Sequence, residues 1–381
     1  MIRTEEKKMK VVVAIDSLKG SLTSMEAGMA VKEGILAAKP EAEVIVKPLA
    51  DGGEGTTDAL IEGLKGERIN VTVTGPLGAP VSCYYGCLKE TNTAVIEMAS
   101  AAGITLIDKK DPLRATTYGV GEMINDAIFK GYRSFIIGIG GSATNDGGIG
   151  MLKALGFEFL DENGNDAGEG GQALYKVKTI RTENKNPLLD QCRFQIACDV
   201  TNPLCGENGA TYVYGPQKGV TDDLKKDLDQ AMASYAKAVT KCLGCDYSNS
   251  AGAGAAGGLG FALLSFLHAS LIPGIDLILN AVGLEKELKD TDIAVTGEGR
   301  LDHQTAMGKA PVGVAKLAKK YGAKVIAFAG SVTPEAAACN RAGIDAFFPI
   351  IRQITTLEEA MKQDKAKANM RSTVEQVFRL L

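Results

Sequence analysis

Three short clusters combine glycine with acids and cations in a pattern that could bind and act on a small anion. They are Asp16-Ser17-Leu18-Lys19-Gly20-Ser21, Asp51-Gly52-Gly53-Glu54-Gly55-Thr56 and Gly297-Glu298-Gly299-Arg300-Leu301-Asp302-His303-Gln304-Thr305. Each carries a carboxylate able to take a proton or meet a metal, and two carry a cation able to hold an anionic group. Each follows an apolar run of strand length. In an open parallel sheet, ligands bind outside the carboxyl ends of the strands, so three such loops on one rim describe one site.

Two more segments have the same character. Ser134 to Ile139 predicts a strand running into Gly140-Gly141-Ser142-Ala143-Thr144-Asn145-Asp146-Gly147-Gly148 and then a helix. Backbone N–H groups at such a helix start can cradle phosphate. Phe194 to Cys198 predicts a strand leading into Asp199-Val200-Thr201-Asn202. An acid and an amide so spaced suit a metal–phosphate site, and equally an Asx turn before Pro203. Gly138-x-Gly140-x-x-Ala143 also fits a loose dinucleotide fingerprint, with Glu158 and Asp161 near the spacing of its acid. That keeps an NAD-dependent dehydrogenase of a small hydroxy acid as an alternative. There is no Walker A motif, because Gly308-Lys309 is followed by Ala310, and the protein-kinase signature set is absent.

The elements that must position these loops alternate. Lys10–Asp16 is a β-branched run, too short for a helix, and predicts a buried strand. Thr23-x-x-Glu26 is a capping box opening a helix to about Ala38, with Ala27, Ala30, Val31, Gly34 and Ile35 on one face. Glu43–Pro48 predicts the second strand. The same alternation returns at 292–296, 324–329 and 346–350, with helices starting at Pro311, Thr333-Pro334 and the capping box Thr356-x-x-Glu359. Five strands alternating with helices imply an α/β fold, one doubly wound parallel sheet interrupted after its second helix. Residues 9–65 and 286–381 then form a discontinuous α/β domain. Residues 66–285 form a large inserted mixed α+β domain, and 1–8 an N-terminal extension. The rival arrangement is two consecutive domains, with 134–140 a strand of the first sheet.

Composition excludes several classes. Of 381 residues 45% are apolar and 23% charged, the formal net charge is −4, and no long basic run occurs. Nucleic acid is therefore not expected as a partner. The apolar stretch Leu259–Ile272 is too short to span a bilayer, reads as a buried helix after a glycine-rich loop, and implies no membrane association. Eight irregularly spaced cysteines and no signal peptide fit a reducing cytoplasm, with Cys242-x-x-Cys245 an incidental pair. Nothing in the composition forbids a homo-oligomer.

VVVAIDSLKGSLTS (11–24), PLADGGEGT (48–56), GIGGSATNDGGIGML (138–152), CDVTNPL (198–204), GAAGGLG (254–260) and TGEGRLDHQTAMGKAP (296–311) resemble the motif series of the bacterial glycerate kinases. They stand in the family's order and span nearly the whole chain from Met9. The resemblance implies a flavodoxin-like domain with an inserted second domain. It also implies transfer of the ATP γ-phosphoryl group to D-glycerate, with 2-phosphoglycerate favoured over 3-phosphoglycerate, in a cleft between two domains.

Phosphoryl transfer needs a phosphate cradle, Mg²⁺ held by carboxylates, a cation to spread charge and a base for the attacking hydroxyl. The expected cradle is Gly140, Gly141, Ser142 and Asn145. Asp199 is the first choice for Mg²⁺ and Asp16 the second. Lys19 would neutralise phosphate oxygens, and Arg300 would hold the glycerate carboxylate. Asp302 or Asp51 would be the base. His303 reads more simply as a helix-entry surface residue, and Glu298 as an acid that either shapes its turn or takes part in catalysis.

Overall fold

A computed structural model describes residues 8–53 and 55–381. Most of the expected N-terminal extension, and Glu54, lie outside the described residues. The strands are β1 (Lys10–Ile15), β2 (Glu43–Pro48), β3 (Glu67–Thr74), β4 (Pro80–Leu88), β5 (Thr93–Glu97), β6 (Ser134–Gly138), β7 (Glu158–Leu160), β8 (Thr179–Arg181), β9 (Arg193–Ala197), β10 (Ser270–Ile272), β11 (Ile293–Leu301), β12 (Lys324–Val332) and β13 (Ala346–Pro349). The chain divides into two compact units. Of the described residues, one holds those up to Asp51 with 58–65 and 275–381; the other holds those of 52–57 and 66–274.

The first unit is built on a parallel five-stranded sheet in the order β2-β1-β11-β12-β13. Its interior strand β1 is apolar on both faces, as a strand covered by helices on both sides must be. Val11, Val12 and Val13 are at most 1% exposed. Thr23 caps the helix Ser24–Ala38: its Oγ1 accepts from Glu26 N at 3.2 Å, and its own N–H donates to Glu26 Oε2 at 3.0 Å. That helix buries the expected face, including Val31 and Ile35, in one cluster with Met370, Val374 and Phe378 of the helix Gln363–Arg379. Burial of each such large side chain contributes roughly 1.5–3 kcal/mol.

The third strand departs from the sequence reading. β11 does not stop at Thr296 but runs through Gly297, Glu298 and Gly299 to Leu301, paired with β12 as far as Val332. Glycine is required here by close approach rather than by a turn. A Cβ at Gly297 would lie 1.9 Å from the Phe328 carbonyl oxygen, and one at Gly330 would lie 2.6 Å from that of Gly299.

The second unit carries a six-stranded sheet, β10-β9-β6-β5-β4-β3, antiparallel from β3 to β5 and parallel from β5 to β10, with β7 and β8 as a separate pair. β6 pairs with β5 and β9, so it is not a strand of the first sheet. The helix Asp222–Leu243 buries Leu228, Met232, Tyr235 and Val239. The apolar run after the glycine-rich loop is helical only to Leu267, with left-handed backbone at Ala256, Gly257 and Gly258, and then re-enters the sheet as β10. Among the described residues no helix is long and apolar enough to cross a membrane. All eight cysteines are free thiols.

Candidate active site

The carboxyl ends of β1, β2 and β11 meet at a cavity of about 530 Å³ wholly within the first unit, lined among others by Asp16, Lys19, Asp51, Glu298, Arg300 and Asp302. The structure thus brings six charged residues of the three clusters together. Asp16 follows the last residue of β1, and its N–H continues the ladder to the Gly297 carbonyl at 2.9 Å. Its carboxylate, 8% exposed, accepts from Ser17 N at 2.7 Å. Residues 18–22 fold into a tight turn, with Ser21 N and Leu22 N both bonded to the Leu18 carbonyl, which presents Lys19 outward. Ser21 lines the same cavity, and its buried hydroxyl oxygen has no hydrogen-bond partner.

Negative charge is concentrated here. Burial, reinforced by the carboxylates of Asp51 and Glu298 and only partly offset by the Ser17 N–H and Lys19, pushes Asp16 up to about 7. Burial also raises Glu298, against a hydrogen bond from Thr305 Oγ1 and the charge of Lys309. Asp302 is different. Its Oδ1 accepts from Gln304 N at 2.9 Å and Thr305 N at 3.3 Å, and its N–H donates to Thr305 Oγ1, a full capping box for the short helix His303–Ala306. Its other oxygen lies 3.8 Å from Arg300 Nε, and the Arg300 side chain is 65% exposed. His303 is exposed at that helix start. Lys309, passed over in the sequence because it completes no Walker A motif, lines the cavity; its signal was its place in the string 296–311.

The second cluster is divided. Asp51 belongs to the first unit, whereas 52–57 pack with the second, where Thr57 N donates to Glu97 Oε1 at 2.8 Å. In the second unit, Gly138 and Ala197 are paired, so Gly140–Ser142 and Asp199 follow adjacent parallel strands on one rim. Asp199 is exposed, and its Oδ1 accepts from Gly274 N at 2.8 Å. The two carboxylates expected at the metal, Asp199 and Asp16, therefore belong to different units.

The expected cradle needs correction at Asn145. Gly140 and Gly141 are exposed, and Ser142 is nearly buried, but Asn145 is fully buried and spends its amide on Thr211 Oγ1 at 3.0 Å. The helix-start N–H groups are also taken from within. Asp146, fully buried, accepts from Gly148 N at 3.0 Å, Gly150 N at 3.2 Å, and both Thr117 N and Thr117 Oγ1 at 2.8 Å. Lys218, 1% exposed, donates to the Thr144 carbonyl at 2.7 Å. Burial pulls its amine down to about 7, with Asp146 opposing. The dinucleotide reading also loses its footing, because Glu158 lies on β7 of the separate two-stranded sheet.

The donor set of the first unit fits Mg²⁺ bound with phosphate. Asp16, Asp51 and Glu298 offer hard oxygen ligands, while Lys19, Lys309 and the unpaired Ser21 hydroxyl suit anionic oxygens. Among the described residues no three His, Cys, Asp or Glu side chains form a ready cage. Mg²⁺ commonly needs only one or two carboxylates, completed by substrate phosphates and water.

Comparison with known proteins agrees with the motif series. The glycerate kinase family model matches residues 11–381. A glycerate kinase of Bacillus subtilis (strain 168) is 47% identical over 93% of each chain, and the glycerate 2-kinase of Escherichia coli (strain K12) 45% identical over 93% of each. A crystal structure from Salmonella typhimurium LT2, assigned as glycerate kinase 2, superposes with a TM-score of 0.90 at 44% identity, covering 98% of both chains.

Proposed function

The chain belongs to the glycerate kinase family and is an enzyme of the phosphotransferase kind, and we propose that it transfers the γ-phosphoryl group of Mg-ATP to D-glycerate, giving 2-phosphoglycerate. The observation that carries this reading is the convergence of carboxylates and cations in one cavity of the first unit, within a chain matched along almost its whole length by glycerate kinases. The product assignment follows the E. coli relative, named a glycerate 2-kinase. We read the first unit as flavodoxin-like, since its strand order is 2-1-3-4-5 counted along its own strands, and the second as the insertion. Eight unpaired thiols suit the reducing cytoplasm.

In this mechanism Arg300, mostly exposed at the cavity, pairs with the glycerate carboxylate and orients its hydroxyl. Asp302 is a positioning residue, because its capping box fixes the strand end from which Arg300 projects. Of the two candidate bases that leaves Asp51 to take the hydroxyl proton as the hydroxyl oxygen bonds to the γ-phosphorus. The bond from that phosphorus to the β,γ-bridging oxygen breaks, and ADP departs with the bonding electrons. Lys19 and Lys309 spread the charge on the transferring oxygens. Mg²⁺, when bound with the nucleotide, would shield the phosphate charge, with Asp16 and Glu298 as its protein oxygens. In the second unit the exposed Gly140 and Gly141, with Ser142, suit a phosphate and the Asp199 carboxylate suits a metal bound with it, whereas Asn145 supports the loop from behind.

The test is an ADP-release assay with Mg-ATP and each glycerate enantiomer, followed by phosphorus NMR of the product. ADP release with D-glycerate and a 2-phosphoglycerate signal is expected. A 3-phosphoglycerate signal would overturn the regiochemistry, and no release from folded protein would overturn the substrate.

A further inference from the structure

The first-unit cavity is lined by two chemically distinct sets of residues, and the kinase reading uses only one. Besides the charged residues, the lining includes an apolar wall of Ile350, Ile351, Leu357, Ala360 and Met361, and the side-chain amide of Asn369. Apart from Ile350, which is buried in the core, this wall comes from a segment that contributes little to the core. Leu357–Met361 is a short helix with no buried residue, Leu357 is 75% exposed and Ile351 39% exposed. Apolar side chains at such positions are not held there by packing of the fold, and clustered exposure of this kind marks ligand surfaces.

We propose that this wall receives the nucleobase and ribose of the donor nucleotide, with its phosphates directed toward Lys19 and Lys309. The inference rests on the kinase reading and adds the placement of the nucleotide. Glycerate cannot be the wall's occupant, because a three-carbon polyhydroxy acid offers no apolar face to match it. The volume suits a larger ligand: pockets of roughly 300–1,000 Å³ bury drug-sized molecules against apolar walls with a few polar groups, and this cavity measures about 530 Å³. The charge pattern sets the orientation, since the cations and the unpaired Ser21 hydroxyl lie in the same cavity as the wall. Met361 brings the apolar wall next to the turn that carries Lys19: its methyl group would lie 2.7 Å from a Cβ at Gly20, the residue following Lys19. A polarisable thioether is well suited to an aromatic ring. Asn369 is the neutral amide at the wall, and an asparagine amide can pair with both N6 and N7 of adenine.

The experiment compares binding of Mg-ATP, Mg-GTP and Mg-tripolyphosphate to the full chain by calorimetry, for wild type and for the neutral double variant Leu357→Ser/Met361→Ala. We expect the double variant to bind Mg-ATP at least tenfold more weakly and tripolyphosphate unchanged. Asn369→Ala should narrow the preference for ATP over GTP. Photolabelling with 8-azido-ATP provides a readout independent of stability, with label expected on the peptide 350–369. Unchanged ATP affinity in the double variant, or label confined to 138–148, would overturn the placement. So would failure of wild type to bind ATP. ADP release by wild type with D-glycerate is read separately: its presence keeps the kinase reading standing when the placement fails, and its absence brings that reading down on its own.

Discussion

Replacing Asp16 with asparagine should stabilise the first unit while disabling the enzyme, and the gain should depend on pH in a fixed direction. Burial and the carboxylates of Asp51 and Glu298 raise Asp16 from 3.8 to about 7 in the folded chain. Between those values the folded chain holds a proton that the unfolded chain has released, so wild-type stability falls as pH rises through this window. The cost is complete above about pH 7 and absent below about pH 3.8. At about 1.36 kcal/mol per pKa unit it amounts to about 4 kcal/mol at pH 8 and below about 2 kcal/mol at pH 5. Asparagine keeps the acceptor for Ser17 N and carries no charge, so Asp16→Asn should recover most of this. The chain has no tryptophan, and two units need not unfold together, so the suitable assay is native-state hydrogen exchange on peptides of β1 in metal-free buffer. Exchange should slow by up to about 10³-fold at pH 8, after correction for the intrinsic rate, and by far less at pH 5. An equal gain at both pH values, or none at pH 8, would refute the electrostatic account of Asp16.

Other perturbations separate the remaining roles. Arg300→Met should lower kcat/KM for glycerate roughly ten- to hundredfold, the loss of a charge-assisted bond of about 1.5–3 kcal/mol, while nucleotide affinity stays constant. Asp199→Asn preserves an acceptor for Gly274 N, so thermal unfolding should be unchanged; if its carboxylate contacts a phosphate-bound metal from the second unit, kcat should drop at least a hundredfold, and near-normal turnover would remove Asp199 from the catalytic machinery. Asp146→Ala should cost about 3–5 kcal/mol in the second unit, seen in denaturant unfolding, because it strands Lys218 and the donors of Thr117, Gly148 and Gly150. Gly52→Ala should cost more than about 1 kcal/mol and speed exchange in 52–57. The backbone there has φ +88°, and the new Cβ would meet Gly274 Cα at 2.7 Å and Ala197 Cβ at 2.9 Å.

Much of the first unit was legible because its signals are local. The β-branched run at 11–13 and the Thr23 capping box specify a strand and a helix without reference to the rest of the chain, and both stand where expected. The misreading at 297–301 has a physical source. Glycine marks a turn only when the backbone needs positive φ, and Gly297 and Gly299 do not have it. Gly297 serves the contact with Phe328 of β12, and a Cβ at Gly299 would instead come within 3.6 Å of Leu18 Cα, neighbours that the local sequence does not reveal. The end of the apolar run is similar: Ser270–Ile272 leaves the helix because β9 offers it a ladder.

The site was legible in its chemistry and illegible in its satisfaction. Asp16, Asp146 and Asp302 all sit in glycine-rich or turn-like surroundings, and residue type alone gives them equal claims to catalysis. Hydrogen-bond donors separate them. Asp146 receives four, enough to fill a carboxylate from within its own loop, and Asp302 receives two from the helix it caps. Asp16 receives one backbone donor and faces two further acids across a cavity. A carboxylate whose acceptors are met by its own fold can hold a backbone in place but has little left for a ligand. One surrounded by like charge gains most from a cation arriving with the substrate. The donors come from residues whose proximity only the folded chain creates, as Thr117 does for Asp146, so the distinction between a structural and a reactive acid is written in tertiary contacts.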